Sequence, residues 1–83
     1  MGTELLPVGF RNFVALNRVI AILGVGSAPV QRLVREGREE GVVIDATAGR
    51  RTKAAIFMDD GSIVLTAITA ETLSERAAAN PMG

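Results

Sequence analysis

The sequence predicts a small α+β fold: a strongly twisted β-sheet of about four to five strands, one central helix packed on it, and a short C-terminal helix. Two β-branched apolar runs, residues 18–23 and 42–47, have the composition of strands. A segment with helix-capping residues at both ends separates them. Further along, an Asp-Gly pair within residues 59–62 lies between two more apolar runs, as in a β-hairpin.

The N-terminal region begins with strand-forming segments. Residues 5–16 are apolar but contain Pro7, Gly9 and Arg11, which predicts one bent strand or two short strands. Residues 18–23 are almost continuously apolar, as is typical of a strand that is covered on both faces.

A helix is predicted over about residues 28–40. Ser27 can cap its N-terminus, and Pro29 lies in the first turn, where its missing N–H costs nothing. Gly41 is suited to the C-terminal cap. Because the helix separates two strands, it favours a crossover connection between parallel strands.

The C-terminal region predicts a hairpin and a last helix. Residues 52–58 and 63–68 form the two strands, and the Asp-Gly pair lies in the turn between them. Thr69 can cap a short helix that ends at residue 76. We therefore expect one domain over residues 1–76 and a flexible tail over residues 77–83.

The composition favours an assembly of subunits. Hydrophobic residues make up 48% of the 83-residue chain, which also contains nine glycines. A chain this short rarely builds a sufficient core alone. It has no cysteine for disulfides and no histidine for the commonest transition-metal sites. A homo-oligomer is therefore expected, and an apolar-rich monomer is the alternative.

Enzymatic chemistry is poorly supported, and no cofactor, metal or small-molecule substrate is expected. Without His or Cys, the usual general base and the strongest nucleophile are missing. Asp59 and Asp60 fall in the predicted turn, where Asp commonly bonds the nearby backbone. The Gly-Val-Gly segment at 24–26 lacks the third glycine of a dinucleotide fingerprint, and no Walker-type lysine follows it.

No segment has the pattern of a signal peptide or a membrane span. The longest apolar run, residues 19–25, is far shorter than the ~20 residues that cross a bilayer. A cytoplasmic protein without a membrane partner is therefore expected.

The charges are unevenly distributed along a chain whose formal net charge is zero. Basic residues dominate before residue 59 and acidic residues after it, so a basic surface can still exist locally. Arg50, Arg51 and Lys53 cluster in a turn that leads into a strand, an arrangement that suits phosphate oxygens. Arg18, at the edge of an apolar strand, could pair with Asp45 or face the same ligand.

The arginines of the predicted helix have a different setting. Arg32–Glu36 and Arg35–Glu39 are each four residues apart, which is the spacing of ion pairs along a helix. This spacing predicts a solvated, salt-bridged face rather than a recognition helix.

Four segments occur in an order that resembles the RemA family of bacterial extracellular-matrix regulatory proteins: residues 8–10, 17–22, 27–32 and 44–54. The resemblance covers roughly residues 5–76. It implies a DNA-binding transcriptional regulator of biofilm-matrix genes that forms ring-like homo-oligomers. The implied partners are double-stranded DNA and further copies of the chain, in a nucleoid-associated, cytoplasmic location.

The resemblance also implies roles for single residues. Arg18 matches a family arginine implicated in DNA binding, Arg50 and Arg51 match the family's basic loop, and Pro29 matches a proline whose loss is expected to impair function. The predicted DNA-binding set comprises Arg18, Arg50, Arg51 and Lys53. The predicted structural or oligomer-forming set comprises Pro29 and Asp45.

Three features depart from the family's pattern. Residues 24–26 replace the Ser-Pro-acidic stretch expected before the helix, and Arg11 stands where a small residue is expected. The tail, residues 77–83, has no counterpart.

Two alternative functions stay open. In the first, the protein is an oligomeric interaction scaffold in which Arg18 or Arg51 pairs with Asp45 between subunits. In the second, it is a sensor that binds a small phosphorylated ligand at residues 24–27.

Overall fold

The structure, a computed structural model, describes residues 4–79 of the chain. The described part contains two helices, six strands and a short 3₁₀ helix, Leu16–Arg18. The strands and α-helices are β1 (Leu5–Gly9), β2 (Asn12–Ala15), β3 (Val19–Gly24), α1 (Ala28–Glu40), β4 (Val43–Asp45), β5 (Ala54–Met58), β6 (Ile63–Thr66) and α2 (Ala70–Ala78). The predicted α+β class is confirmed.

The strands form two sheets, so the expectation of a single sheet of four to five strands is wrong. One sheet has four strands in the order β3-β5-β6-β4, and the other is the β1–β2 hairpin. The hairpin meets the larger sheet through a side chain instead of a backbone ladder. The Thr66 hydroxyl donates a hydrogen bond to the Val8 carbonyl oxygen at 2.8 Å. The hairpin thus covers a face of the larger sheet without extending its edge.

The two strands that flank α1 run in the same direction but are not neighbours. β3 pairs antiparallel with β5, β5 pairs antiparallel with β6, and β6 pairs parallel with β4. The β5–β6 hairpin therefore lies between β3 and β4, which occupy the two opposite edges.

β3 is an edge strand, so the prediction that it is covered on both faces is wrong. Ile20 is 69% exposed and Leu23 is 36% exposed. A bulge between Val19 and Ala21 interrupts its pairing with β5. The continuous apolar sequence of β3 therefore belongs to an edge strand and not to a central strand. The order in which the strands pair decides this position, and that order depends on the whole fold.

The core lies on both faces of β5 and β6. Along β5, Ala54 and Ile56 point to a cluster that includes β1, β2 and α2, whereas Ala55 and Phe57 point to a second cluster that includes α1. Side chains of a strand alternate between faces, so a strand that is apolar throughout needs a cover on each side. The result is a three-layered domain.

Local capping signals set the bounds of α1, and the predicted helix 28–40 is confirmed. The Ser27 side chain accepts a hydrogen bond from the Val30 N–H, and Pro29 occupies the first turn. Gly41 ends the helix in a left-handed conformation with φ of 76°. Gly37 is the buried residue of α1 and faces Ile63 of the sheet.

The predicted C-terminal hairpin and helix are confirmed. The Asp60 carboxylate accepts hydrogen bonds from the Ser62 N–H and hydroxyl, and Gly61 is left-handed with φ of 89°. Thr69 caps α2 through the Thr72 N–H, and α2 ends at Ala78, two residues beyond the predicted end. The last part of the predicted tail, residues 80–83, lies outside the described residues.

The contact between α1 and the sheet depends on the missing side chain at Gly37. A Cβ atom there would lie 2.7 Å from the Ile63 Cδ1 atom and 3.2 Å from a Val43 methyl carbon. We expect Gly37→Val to lower the free energy of unfolding by about 1–3 kcal/mol in urea titrations, because it overpacks this contact. The control, Gly26→Val, is at a site with nothing within 4 Å. It should change stability by less than about 0.5 kcal/mol, and equal losses would contradict the packing role of Gly37.

Candidate nucleic-acid interface

The candidate site is the basic loop, residues 49–53, which lies in the connection between β4 and β5. Asp45, the last residue of β4, organises the start of this connection. Its Oδ1 atom accepts hydrogen bonds from the Thr47 N–H at 2.9 Å and the Thr47 hydroxyl at 2.6 Å. The Thr47 hydroxyl, followed by the Thr47 N–H, lowers the pKa of Asp45 below its ordinary value. Asp45 is therefore charged at neutral pH and acts as a local turn-former.

A tight turn brings the arginines to the surface. Ala48 and Gly49 are left-handed, with φ of 54° and 81°, and the Arg50 N–H donates to the Thr47 carbonyl at 3.0 Å. Such a turn reverses the chain directly, so that Arg50 and Arg51 follow it on the exposed surface.

The far end of the basic loop is also fixed. The Lys53 N–H donates to the Thr66 carbonyl at 2.8 Å, and the Lys53 carbonyl accepts from the Val25 N–H at 3.3 Å. With Asp45 and Thr47 at the other end, the loop is held by hydrogen bonds on both sides. Its cationic side chains thus project from a defined backbone, which limits the entropy lost when they bind an anion.

The tip of the β1–β2 hairpin lies beside the basic loop. The Arg50 guanidinium carbon is 5.3 Å from the centre of the Phe10 ring, a cation–π contact. Phe10 and Arg11 form the two-residue turn of the hairpin, since Gly9 pairs with Asn12. In the sequence, Arg11 interrupts an apolar segment and departs from the family's pattern, and neither Phe10 nor Arg11 was predicted to lie at the site.

Arg18 lies away from the basic loop within one chain. β3 pairs with β5 so that Val19 is opposite Met58 and Gly24 is opposite Ala54. Arg18 therefore lies at one end of β5 and Lys53 at the other, about 17 Å apart along a five-residue strand. At its own end, Arg18 makes an ion pair with Asp59 at 3.6 Å, and its carbonyl accepts the Asp59 N–H.

No acidic side chain within residues 4–79 forms an ion pair with the basic loop. Within residues 4–79, Arg18–Asp59 is the one ion pair closer than 4 Å. The predicted helix pairs Arg32–Glu36 and Arg35–Glu39 are therefore not formed. Holding two long exposed side chains together costs entropy, which offsets the weak attraction between exposed charges. The Asp45 carboxylate contacts Thr47 and not an arginine of its own chain.

Across residues 4–79, no group of three or more acidic side chains is arranged to hold a metal ion. None of the helices in that range is long and apolar enough to cross a membrane.

This chain is similar to a family of regulatory proteins and to several of its relatives. Residues 5–77 match the RemA-like family, "Extracellular matrix regulatory protein A-like". A protein of Halothermothrix orenii is 50% identical over 76 residues, 92% of this chain and 90% of that protein. A protein of Alkaliphilus oremlandii is 49% identical over 76 residues, 92% of this chain and 82% of its own length. A protein of Synechococcus sp. (strain JA-3-3Ab) is 49% identical, with 92% and 85% covered. All three are named "Putative regulatory protein", which indicates regulation rather than enzymatic activity.

The contact between Asp45 and Thr47 makes a pH-dependent prediction. In Thr47→Val the pKa of Asp45 should rise towards its ordinary value, because the hydroxyl donor is lost. The variant should also lose about 1 kcal/mol of unfolding free energy at pH 7. A lowered pKa in the folded state stabilises the protein above the unfolded value of about 3.9, and this stabilisation is lost as the pH falls. The stability difference from the wild type should therefore shrink below about pH 4.

The measurements are NMR titration of the carboxyl carbons and urea unfolding at several pH values. Ser62→Ala is the control, because it removes the equivalent hydroxyl from Asp60 in the β5–β6 turn. It should shift the pKa of Asp60 and leave that of Asp45 unchanged. An unchanged Asp45 pKa in Thr47→Val would refute this account of the turn.

Proposed function

The chain belongs to the RemA-like family of regulatory proteins, and we propose that it is a homo-oligomeric, DNA-binding transcription regulator and not an enzyme. The observation that carries the proposal is the basic loop, a hydrogen-bonded loop that presents the exposed side chains of Arg50, Arg51 and Lys53. None of the three has an acidic partner within 4 Å in residues 4–79. The proposed targets are extracellular-matrix genes, in line with the family's description as extracellular matrix regulatory protein A-like.

Phosphate contacts would account for most of the affinity. Arginine guanidinium groups match phosphate oxygens in a bidentate manner, and lysine adds a point charge. The arginines of α1 share its exposed surface with Glu36, Glu39 and Glu40, so a recognition helix in the major groove is not part of the proposal. Sequence preference would come from the shape and bendability of the DNA.

Open sheet edges support assembly. Within residues 4–79, β3 and β4 each leave one edge without a strand partner, and both edges carry exposed apolar side chains: Ile20 and Leu23 on β3, and Ile44 on β4. Unpaired edges with exposed apolar residues are pairing surfaces unless something covers them. Two different edges on one subunit favour a head-to-tail contact, which generates a ring when the rotation closes.

The two flanks of α1 carry complementary charges, which also favours this contact. A cleft of about 430 Å³ on the β3 side is lined by Ile20, Leu33, Glu36 and Glu40. A cleft of about 400 Å³ on the other flank is lined by Arg35 and Arg38. The acidic and apolar flank of one subunit would then face the basic flank of the next.

Assembly would repeat the basic loop and so raise the affinity for DNA. β3 and β4 run in the same direction, so a closed assembly with its axis along the strands would carry every basic loop on one rim. Repeated sites on one DNA molecule bind with an affinity that exceeds that of each site. A chain of zero net charge can then bind DNA, because the cations are concentrated on that rim. Arg18 would lie on the other rim, and its role stays a prediction.

DNA binding can be tested by fluorescence polarisation with a labelled duplex of about 60 base pairs at several salt concentrations. We expect the affinity to fall linearly with log[salt], with a slope of about −0.9 per phosphate contacted. The double variant Arg50→Ala/Arg51→Ala should lose at least about tenfold in affinity and show a shallower slope. Arg32→Ala removes an exposed arginine from α1 and should bind as the wild type does. Unchanged binding by the folded double variant would rule out the basic loop as the DNA site.

Assembly can be tested separately by light scattering coupled to size-exclusion chromatography. Ile20→Asp places a charge on the exposed edge of β3 and should reduce the particle mass to that of a monomer or small oligomer. The affinity for DNA should fall as the particle mass falls, because fewer linked sites can then bind the same duplex. Leu5→Asp alters another exposed apolar residue, on β1, and should leave the mass unchanged. A wild-type mass for Ile20→Asp would argue against β3 as an assembly edge.

A further inference from the structure

The tip of the β1–β2 hairpin is a two-residue turn with an unusual composition. Phe10 and Arg11 are both left-handed, with φ of 55° and 66°. Hairpin turns of this kind favour Asn-Gly or Gly-Gly, because side chains larger than Asn are strained there. The chain thus holds two bulky residues in a backbone conformation that works against folding. Strain of this kind is concentrated at functional sites.

Both tip residues are exposed, and nothing in their own hairpin explains the strain. Phe10 is 47% exposed, although it contacts the Arg50 guanidinium. Arg11 is exposed and has no acidic partner within 4 Å among residues 4–79. A cation over an aromatic face keeps its charge and its outer N–H donors, so the ring restrains Arg50 without neutralising it.

Thr66 connects the hairpin to the basic loop through two hydrogen bonds. The Thr66 hydroxyl donates to the Val8 carbonyl at 2.8 Å, and the Thr66 carbonyl accepts from the Lys53 N–H at 2.8 Å. Thr66 itself is fully buried. On the far side of the hairpin, Arg76 donates to the Pro7 carbonyl at 3.1 Å. The tip and the basic loop are therefore parts of one rigid surface.

We infer that the hairpin tip is a second DNA-contacting element, in which Arg11 binds a backbone phosphate and Phe10 holds Arg50 in position for its own phosphate. This inference rests on the proposed DNA binding and extends it to residues outside the basic loop. The cations of the extended surface are Arg11, Arg50, Arg51 and Lys53. A rigid hairpin tip adds contacts at little entropic cost, because its backbone is already ordered.

Arg11→Gly gives a test in which stability and binding change in opposite directions. Glycine relieves the left-handed strain, so the melting temperature should rise. DNA affinity in the polarisation assay should nevertheless fall at least about threefold, and the salt slope should become shallower by about 0.9 for each Arg11 in contact. Arg11→Gln, which keeps the backbone restraint and removes the charge, should lose the same affinity without the rise in melting temperature.

Arg32→Gln is the matched control, since it removes one positive charge from an exposed position on α1. It should retain the wild-type affinity and slope. Wild-type affinity and slope in both Arg11 variants, while Arg50→Ala/Arg51→Ala weakens binding, would overturn the inference and leave the proposed function intact. If the wild-type protein binds no DNA even at low salt, the proposed function and the inference fail together.

Discussion

The two central strands, β5 and β6, carry apolar side chains on both faces, and the other elements are arranged to cover them. Ala54, Ala55, Ile56 and Leu65 are completely buried. α1 covers one face, and the β1–β2 hairpin with α2 covers the other. The one polar residue of this pair with a buried hydroxyl, Thr66, uses that hydroxyl to attach the hairpin. In an apolar environment an unpaired hydroxyl would be costly, so this hydrogen bond also fixes where the hairpin docks.

The candidate site follows from this two-sided core. The ends of the β4–β5 connection are fixed by the pairing of both strands with their neighbours, and Thr66 accepts a hydrogen bond from Lys53 at the point where β5 begins. The connection therefore leaves the sheet in a defined direction, and its cations gather at one end with Arg11 of the hairpin tip. A chain with no net charge thus has a concentrated basic surface.

The same core is too small to cover everything that is apolar. Large hydrophobic residues remain exposed on the edges of the sheet and on α1, including Ile20, Leu33 and Ile44. In the proposed assembly, another copy of the chain covers these residues. In the proposed mechanism, assembly stabilises the subunit and repeats its weak phosphate site.

Local signals in the sequence determined the parts of the protein that depend on neighbouring residues. Ser27 and Gly41 set the bounds of α1, Asp60 and Gly61 formed the β5–β6 turn, and the cluster at 50–53 predicted an exposed basic loop, because caps and turns are hydrogen-bonded within a few residues. Only the tertiary structure decided what depends on long-range packing. It made the apolar β3 an edge, placed Arg18 beside Asp59 at the far end of β5, and brought Phe10 under Arg50. These contacts join segments tens of residues apart, and their geometry is set by which strands pair and which faces the core must cover.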